Sequence, residues 1–395
     1  MRPPIRVGVL HSETGTMAIS EQAVINATLL AIEQINEDGG LLGRKIEPII
    51  ADGASDPAQF ARQAERLLTE EHVRVIFGCW TSASRKSVVP VVEERDGLLF
   101  YPLQYEGIEQ SPNVIYTGAT PNQQVVPAVS YALREFGPRV FLVGSDYVFP
   151  RMANLIMTDA VHALGGEVVG EQYLPLGDTD VGRIVDAILE SRPDVILNTI
   201  NGDSNVAFFS ALREAAVTPG DVPTVSFSLG ETELAQMDAA AMEGNYAAWN
   251  YFQSVDSAQN RDFISAYRER FGDEAVTADP MDAAFTAVHL WASAVRSAGS
   301  TDPAAVRRAI GGDGYHSPAG LVYVDAETQH TWKPVRIGRA RSDGQFDVVW
   351  ESDKPVRPMP FPIFRERREW ERELEELRVG WGGAWARPAE EGDGP

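Results

Sequence analysis

Two rhythms of apolar residues alternate along most of the chain. Short runs such as IRVGVL (residues 5–10) and VRVIFG (residues 73–78) are apolar at nearly every position. Between them, apolar residues recur every three or four positions. Val24, Ala27, Leu30, Ala31 and Ile35, within residues 21–37, share one helical face. Gly39 and Gly40 follow, as glycine commonly does past a helix C-terminus. The pattern predicts strands over 45–51, 73–78 and 98–101, and helices over 57–70 and 83–95. Strands that are apolar on both faces and separated by helices form a parallel sheet covered on both sides.

GATPNQQ (residues 118–124) interrupts the pattern, which then restarts. Helices over 125–136, 151–164, 181–191 and 205–215 alternate with strands over 139–144, 167–174, 194–199, 224–227 and 245–249. That is a second α/β lobe. Residues 251–256 read as a return crossing, with helices over 258–271, 282–298 and 303–310 beyond it. Residues 321–325, 334–340 and 346–350 read as strands, and SDGQ (342–345) as the hairpin turn between the last two. A charged helix over 365–378 carries one apolar stripe of Trp370, Leu374 and Leu377. The final residues, rich in Gly, Pro, Ala and Glu, are expected to be disordered. The expected organisation is a first lobe of 1–118 plus 252–320 and a second of 119–251 plus 321–360. Residues 361–395 form the charged helix and a flexible tail.

Composition narrows the function. The chain has 395 residues, 44% of them hydrophobic, enough for two cores. Its net charge of −23 repels phosphate, so direct nucleic-acid binding and attachment to anionic membranes are not expected. Cys79 is the single cysteine, which excludes an intramolecular disulfide and a multi-cysteine metal centre. The six histidines show no metal-ligand spacing. There is no GxSxG elbow, Walker loop, GxGxxG fingerprint or HExxH, so no catalytic residue, cofactor or metal is expected. His11 stands beside Ser12 but has no acid partner evident in the sequence. No apolar run is long enough to span a bilayer. The first residues lack a signal-peptide pattern. The expected location is therefore cytoplasmic for the chain as it stands, or extracytoplasmic if a signal sequence was removed.

Several segments carry a resemblance. They are LHSETGTMA (10–18), GCWTSASRK (78–86), LLFYPLQYEG (98–107), GSDYVFPR (144–151), NTINGDSNVAFF (198–209) and AAWNYFQSVD (247–256), with KPVRIG and DGQFDVVWES closing the series. Together they resemble the urea-binding component of urea ABC transporters and its relative, the short-amide receptor that controls aliphatic amidase expression. The resemblance covers roughly residues 5–360. It implies the α/β periplasmic-binding-protein type I fold, two Rossmann-like lobes joined by a three-segment hinge, with a ligand in the cleft between them.

Open parallel sheets bind ligands beyond the C-terminal ends of their strands, and most of these segments lie there. A small neutral amide needs donors, acceptors and aromatic walls. Ser12 follows the first strand. Ser82 opens the helix after the third, where it serves as an N-cap, a ligand contact or both. Trp80 reads as a cleft wall or a core aromatic. Tyr101, Gln104 and Tyr105 lie in a proline-containing loop. Gln104 offers both an acceptor and donors, or else packs the loop. The Leu103–Gln104 pairing resembles the urea binders, whereas the short-amide receptors differ there. Tyr147 and Phe149 resemble an aromatic pair that closes over the ligand from the second lobe. Asp203, Ser228 and Glu231 also follow second-lobe strands, with helix capping as the competing account of each. Arg85 and Lys86 read as solvated or ion-paired.

The resulting expectation is non-catalytic binding of a small neutral ligand, urea or acetamide or similar, by a cytoplasmic sensor that regulates amide or urea utilisation. Its partner is then an antiterminator-type regulator. The alternatives are the substrate-binding component of an importer, whose partner is an ABC permease, and an amide hydrolase. Homodimer formation is a further assembly compatible with the sequence.

Overall fold

The computed structural model describes residues 3–312 and 314–388. The first lobe is built from β1 (Ile5–His11), α1 (Ala18–Glu37), β2 (Ile46–Asp52), α2 (Pro57–Thr69), β3 (Val75–Gly78), α3 (Ser82–Glu94), β4 (Leu98–Tyr101) and β5 (Val114–Tyr116). Its five strands form a parallel sheet in the order β2-β1-β3-β4-β5. All residues of β3, β4 and β5 are buried, as expected for strands covered on both faces. Local signals agree with the global fold. Asp56 caps α2 by accepting from the Gln59 amide, Pro57 takes the first turn, and Phe60, Ala64 and Leu67 form the buried stripe.

After a first crossing at residues 117–120 comes the second lobe. It contains α4 (Val125–Glu135), β6 (Arg139–Ser145), α5 (Val148–Ala163), β7 (Glu167–Leu174), α6 (Gly182–Ser191), β8 (Val195–Thr199), α7 (Ser204–Glu214) and β9 (Thr224–Ser226). The short α8 (Glu231–Leu234) and α9 (Ala239–Met242) precede β10 (Tyr246–Trp249). The chain returns to the first lobe for α10 (Ala258–Phe271), α11 (Asp279–Ala298) and α12 (Pro303–Ala309). α11 is apolar almost all round and packs on α1 in the first-lobe core. The strands β11 (Gly314–Ser317), β12 (Gly320–Val324) and β13 (Thr331–Trp332) form a small separate sheet. β14 (Arg336–Ala340) and β15 (Phe346–Glu351) then extend the second sheet, whose order is β15-β14-β10-β9-β8-β6-β7. Both join antiparallel, β14 on β10 and β15 on β14, and Gly344 takes a positive φ of 79° in the predicted hairpin turn. α13 (Arg367–Gly380) docks on α5.

The expected lobe boundary between residues 320 and 321 puts the third crossing within Ser317 to Tyr323. Those residues instead lie in β11 and β12, beside the first lobe, and the Tyr116 amide donates to the Gln329 carbonyl at the sheet edge. The chain passes into the second sheet only at Lys333 to Arg336. An LVYVD run reads the same whether it extends a large sheet or forms a small one, so periodicity alone does not separate the two.

Asn250 ties the three crossings together, its Nδ2 donating to the carbonyls of Gln123 (3.0 Å) and Pro334 (2.7 Å). Lys333 Nζ donates to the Thr117 carbonyl, and Asp279 Oδ2 accepts from the amides of Asn250 and Tyr251.

The tail departs from expectation. Val148 donates to the Trp385 carbonyl, Arg387 donates to the Asp146 carbonyl, and Tyr147 and Ala386 form an antiparallel bridge. Low apolar content left the sequence without a reason for order here. Backbone pairing supplies that order, with Trp370 and Trp381 buried just upstream. The expected disorder of residues 389–395 lies outside the described residues.

Candidate functional site

The ends of β3 and β4 and the start of α3 bring one buried cluster to the cleft. Arg85 is completely buried. Its Nη2 lies 2.8 Å from Glu106 Oε1 and its Nε 2.8 Å from Glu109 Oε1. The guanidinium sits 4.7 Å from the Tyr101 ring centroid and 4.4 Å from that of Tyr105. Lys86 Nζ pairs with Glu109 Oε2 at 2.9 Å. Two cations therefore face two carboxylates, and the cluster carries no surplus charge. Burial alone would raise the Glu109 carboxyl, but Arg85 and Lys86 overcome it and hold it well below the usual carboxylate range. Burial would likewise ease the proton off Arg85, and the two glutamates reverse that.

Ser82 belongs to this cluster. Its Oγ is 2.5 Å from Glu106 Oε2 and 3.1 Å from Arg85 Nη1. The helix cap is Thr81, whose side chain accepts from the Ser84 amide, so Ser82 is freed for the cluster. Tyr101 donates to the Trp80 carbonyl at 2.8 Å. The Tyr105 hydroxyl bonds to His330 Nε2, and its ring stacks on Tyr116 at 5.2 Å. Gln104 reaches across the cleft. Its Nε2 donates to the Phe227 carbonyl (3.0 Å) and lies 3.4 Å from Ser228 Oγ, while its Oε1 is buried without a protein partner.

From the second lobe, Tyr147 faces Tyr101, Glu106 and Arg85, with Asn201 beside it. Burial pushes that phenol far above its ordinary value. α3 packs on α5 here, and Ser20 Oγ also bonds to Glu233 across the cleft at 3.3 Å. The lobes are closed on one another, and Ser82, Tyr101, Gln104, Tyr105, Tyr147 and Ser228 are all buried.

Trp80 and Phe149 border the cluster: the Trp80 carbonyl accepts from Tyr101 and the Phe149 ring lies 6.3 Å from that of Tyr147, and both side chains are buried in the apolar cores of their lobes. The remaining expected site residues lie elsewhere. Ser12 Oγ accepts from the Ser55 amide in its own lobe. Asp203 is exposed at the start of α7 and makes no capping bond, because the turn leaves its side chain in solvent. Glu231 binds the Gln253 amide at 2.7 Å, at the second crossing, and burial raises its carboxyl to about 8. His11, for which the sequence showed no acid partner, has one. Glu21 Oε2 is 2.8 Å from His11 Nδ1 and also accepts from the Ser12 amide. The ten-residue separation hid that pairing until α1 folded back over β1.

Sequence reasoning missed Glu106, Glu109 and Asn201. The signal for the first two was present, since YEGIE follows the loop at fixed spacing from Arg85 and Lys86. Among the described residues no cluster of His, Cys, Asp and Glu is arranged to hold a metal, and no helix is long and apolar enough to cross a membrane.

Residues 5–367 match a family model described as periplasmic binding protein domain. The Leu/Ile/Val-binding protein homolog 6 of Brucella melitensis is 26% identical over 345 residues, covering 82% of this chain and 85% of that protein. A 117-residue stretch is 32% identical to limonene hydroxylase of Geobacillus stearothermophilus, and the match spans 21% of that protein. An ABC transporter solute binding protein from R. palustris, solved in complex with 4-hydroxybenzoate, shares the fold. Its TM-score is 0.81 at 23% identity, covering 90% of this chain and 98% of that one.

Proposed function

This chain belongs to the periplasmic binding protein family, and from that premise we propose that it binds urea or a short aliphatic amide in the interlobe cleft without changing it chemically. The carrying observation is the state of the charges and acceptors in the cleft. Arg85 and Lys86 are each paired to Glu106 or Glu109, whereas Gln104 Oε1 is a buried acceptor with no protein partner. A carboxylate ligand of the kind named for the relatives, a branched amino acid or 4-hydroxybenzoate, needs an uncommitted cation or donor. A neutral N–H-bearing ligand needs an acceptor, and a buried acceptor left unmatched costs about 1–3 kcal/mol.

The first role we assign is a cytoplasmic sensor that regulates amide or urea utilisation. The docked α13 and paired tail support it by adding a surface for a regulator to the second lobe. A second reading, the solute-binding component of an importer, is favoured by the ABC transporter role named for the R. palustris structure. An adjoining permease gene selects the importer, and an adjoining antiterminator or amidase gene selects the sensor. Ammonia release from urea would select a hydrolase.

Calorimetric titration with urea, acetamide, formamide, leucine and 4-hydroxybenzoate tests the ligand class. Stoichiometric binding of urea or an amide is the expected result. Heat from leucine or 4-hydroxybenzoate, with none from urea or the amides, would overturn it.

A further inference from the structure

A serine hydroxyl has one proton and two lone pairs, so its role toward a ligand depends on which of them the protein has already taken. At Ser82 the protein takes nearly all. A carboxylate held by a guanidinium only accepts, so the Ser82 proton goes to Glu106 Oε2, 2.5 Å away. A guanidinium only donates, so Arg85 Nη1, 3.1 Å away, occupies one lone pair. What remains is a single acceptor direction. Gln104 ends in the same condition. The Phe227 carbonyl cannot donate, which fixes the amide end that faces it as Nε2, and Oε1 is left over. Tyr101 has also spent its proton, on the Trp80 carbonyl.

We propose that Glu106 sets the polarity of the first-lobe half of the site through Ser82. The side chains of Ser82, Gln104 and Tyr101 then present acceptors there and select N–H-rich neutral ligands over carboxylates of the same shape. This rests on the amide reading above and deepens it. Urea brings two NH2 groups and a primary amide one, whereas a carboxylate brings only lone pairs to meet lone pairs. A site built for a polar partner rejects an analogue that cannot supply it far more strongly than an apolar pocket rejects a change of size. Glu106 is a positioning residue, acting through Ser82. Glu109 does not share the role, because its oxygens are taken by Arg85, Lys86 and the Tyr116 hydroxyl.

Glu106→Gln tests the assignment. The glutamine amide is nearly isosteric and can donate to Ser82 Oγ, which turns the serine proton toward the cleft. Glu109 still pairs with Arg85 in that variant, so the buried guanidinium keeps one partner. Dissociation constants for acetamide and acetate, for propionamide and propionate, and for urea are measured by calorimetry on wild type, E106Q, S82A and S82A/E106Q. Wild type is expected to prefer the amide of each pair. E106Q is expected to cut that preference by about tenfold or more, the scale of one buried hydrogen bond gained or lost. A purely structural loss would lower both members of a pair alike and leave their ratio unchanged. S82A keeps every ion pair of the cluster and is expected to lower the ratio too, and adding E106Q to it should change the ratio no further.

An unchanged ratio in both single variants, with wild type still preferring amides, overturns the role of Glu106 and leaves the amide reading standing. Wild type that prefers the carboxylates, or binds no member of the panel, overturns both.

Discussion

The side-chain amide of Gln104, in the first lobe, donates to the backbone carbonyl of Phe227 in the second, 3.0 Å away. One side chain thus bridges the lobes and leaves its other polar atom, Oε1, buried and unpaired in the cleft. On the amide reading proposed above, a ligand N–H at that oxygen would complete the bridge and give Gln104 a part in both closure and selectivity.

Gln104→Leu should therefore weaken urea more than acetamide, because urea has more N–H groups to strand. The expected loss for urea is about 1–3 kcal/mol, the cost of leaving a buried polar group unpaired. Calorimetric titration of both ligands reads it directly. Equal losses would remove the preference for urea from the argument.

Trp370 anchors the C-terminal helix to the second lobe. It is fully buried, its Nε1 donates to the Pro362 carbonyl at 2.8 Å, and Arg365 lies over its ring at 5.0 Å. Trp370→Ala should cost about 3–5 kcal/mol, the usual loss for truncating a buried large aromatic. Guanidinium unfolding is the measurement, since urea is itself a candidate ligand. A loss below about 1 kcal/mol would mean that α13 is not part of the cooperative unit.

The alternation of strands and helices was legible because both signals are local. The Arg365-to-Arg378 periodicity predicted α13 to within two residues at each end. Ser82, Tyr101, Gln104, Tyr105, Tyr147 and Ser228 could be placed near one another because each follows or adjoins a strand end of an open parallel sheet. What stayed hidden depends on long-range pairing. Nothing in the sequence says that Arg85 loses all contact with solvent, since arginine near a helix start is ordinarily exposed. Nothing joins Glu21 to His11, or Trp385 to Val148, until the chain has folded. Asp203 has the composition of a site residue and a cap, yet its side chain is exposed and makes no capping bond.

Glu231 makes stability fall as pH rises. Its carboxyl is raised to about 8 by burial, above an unfolded value near 4.5. Between those values the folded chain holds a proton that the unfolded chain has released. The stability it contributes is present at low pH and is lost as pH climbs through about 8. His289 and His330, lowered to about 4 and about 3 by burial, act with the opposite sign but only below their unfolded value near 6.5. The buried Cys79 thiol adds to the Glu231 trend above about 8.5, its usual unfolded value. The difference between wild type and Glu231→Gln is therefore the quantity to read. Wild type should lose more melting temperature than the variant between about pH 6.5 and pH 8.5. Parallel curves would show that Glu231 is not protonated in the folded protein.

Tyr147 is held from behind by the tail. Its backbone bridges Ala386, its neighbour Val148 donates to the Trp385 carbonyl at 3.0 Å, and the Trp385 ring lies 4.9 Å from Lys86 Nζ in the first lobe. The tail thus pairs with the segment that carries a cleft residue and touches the opposite lobe. Each backbone bond contributes about 0.5–1.5 kcal/mol and a cation–π contact about 0.5–2 kcal/mol. Removing residues 384–395 should therefore loosen the closed state by enough to speed ligand release about tenfold, since roughly 1.4 kcal/mol is a factor of ten. The melting temperature should change far less than in Trp370→Ala, because Trp370 and Trp381 remain buried. Tyr147→Ala should weaken binding and also reduce the closure reached at saturation, because it removes a second-lobe group that faces the cluster while leaving the tail's backbone pairing in place. Stopped-flow release rates and small-angle scattering, with and without saturating ligand, separate the two variants. A truncated protein that releases ligand at the wild-type rate, with an unchanged radius of gyration, would assign the tail no part in holding the lobes together.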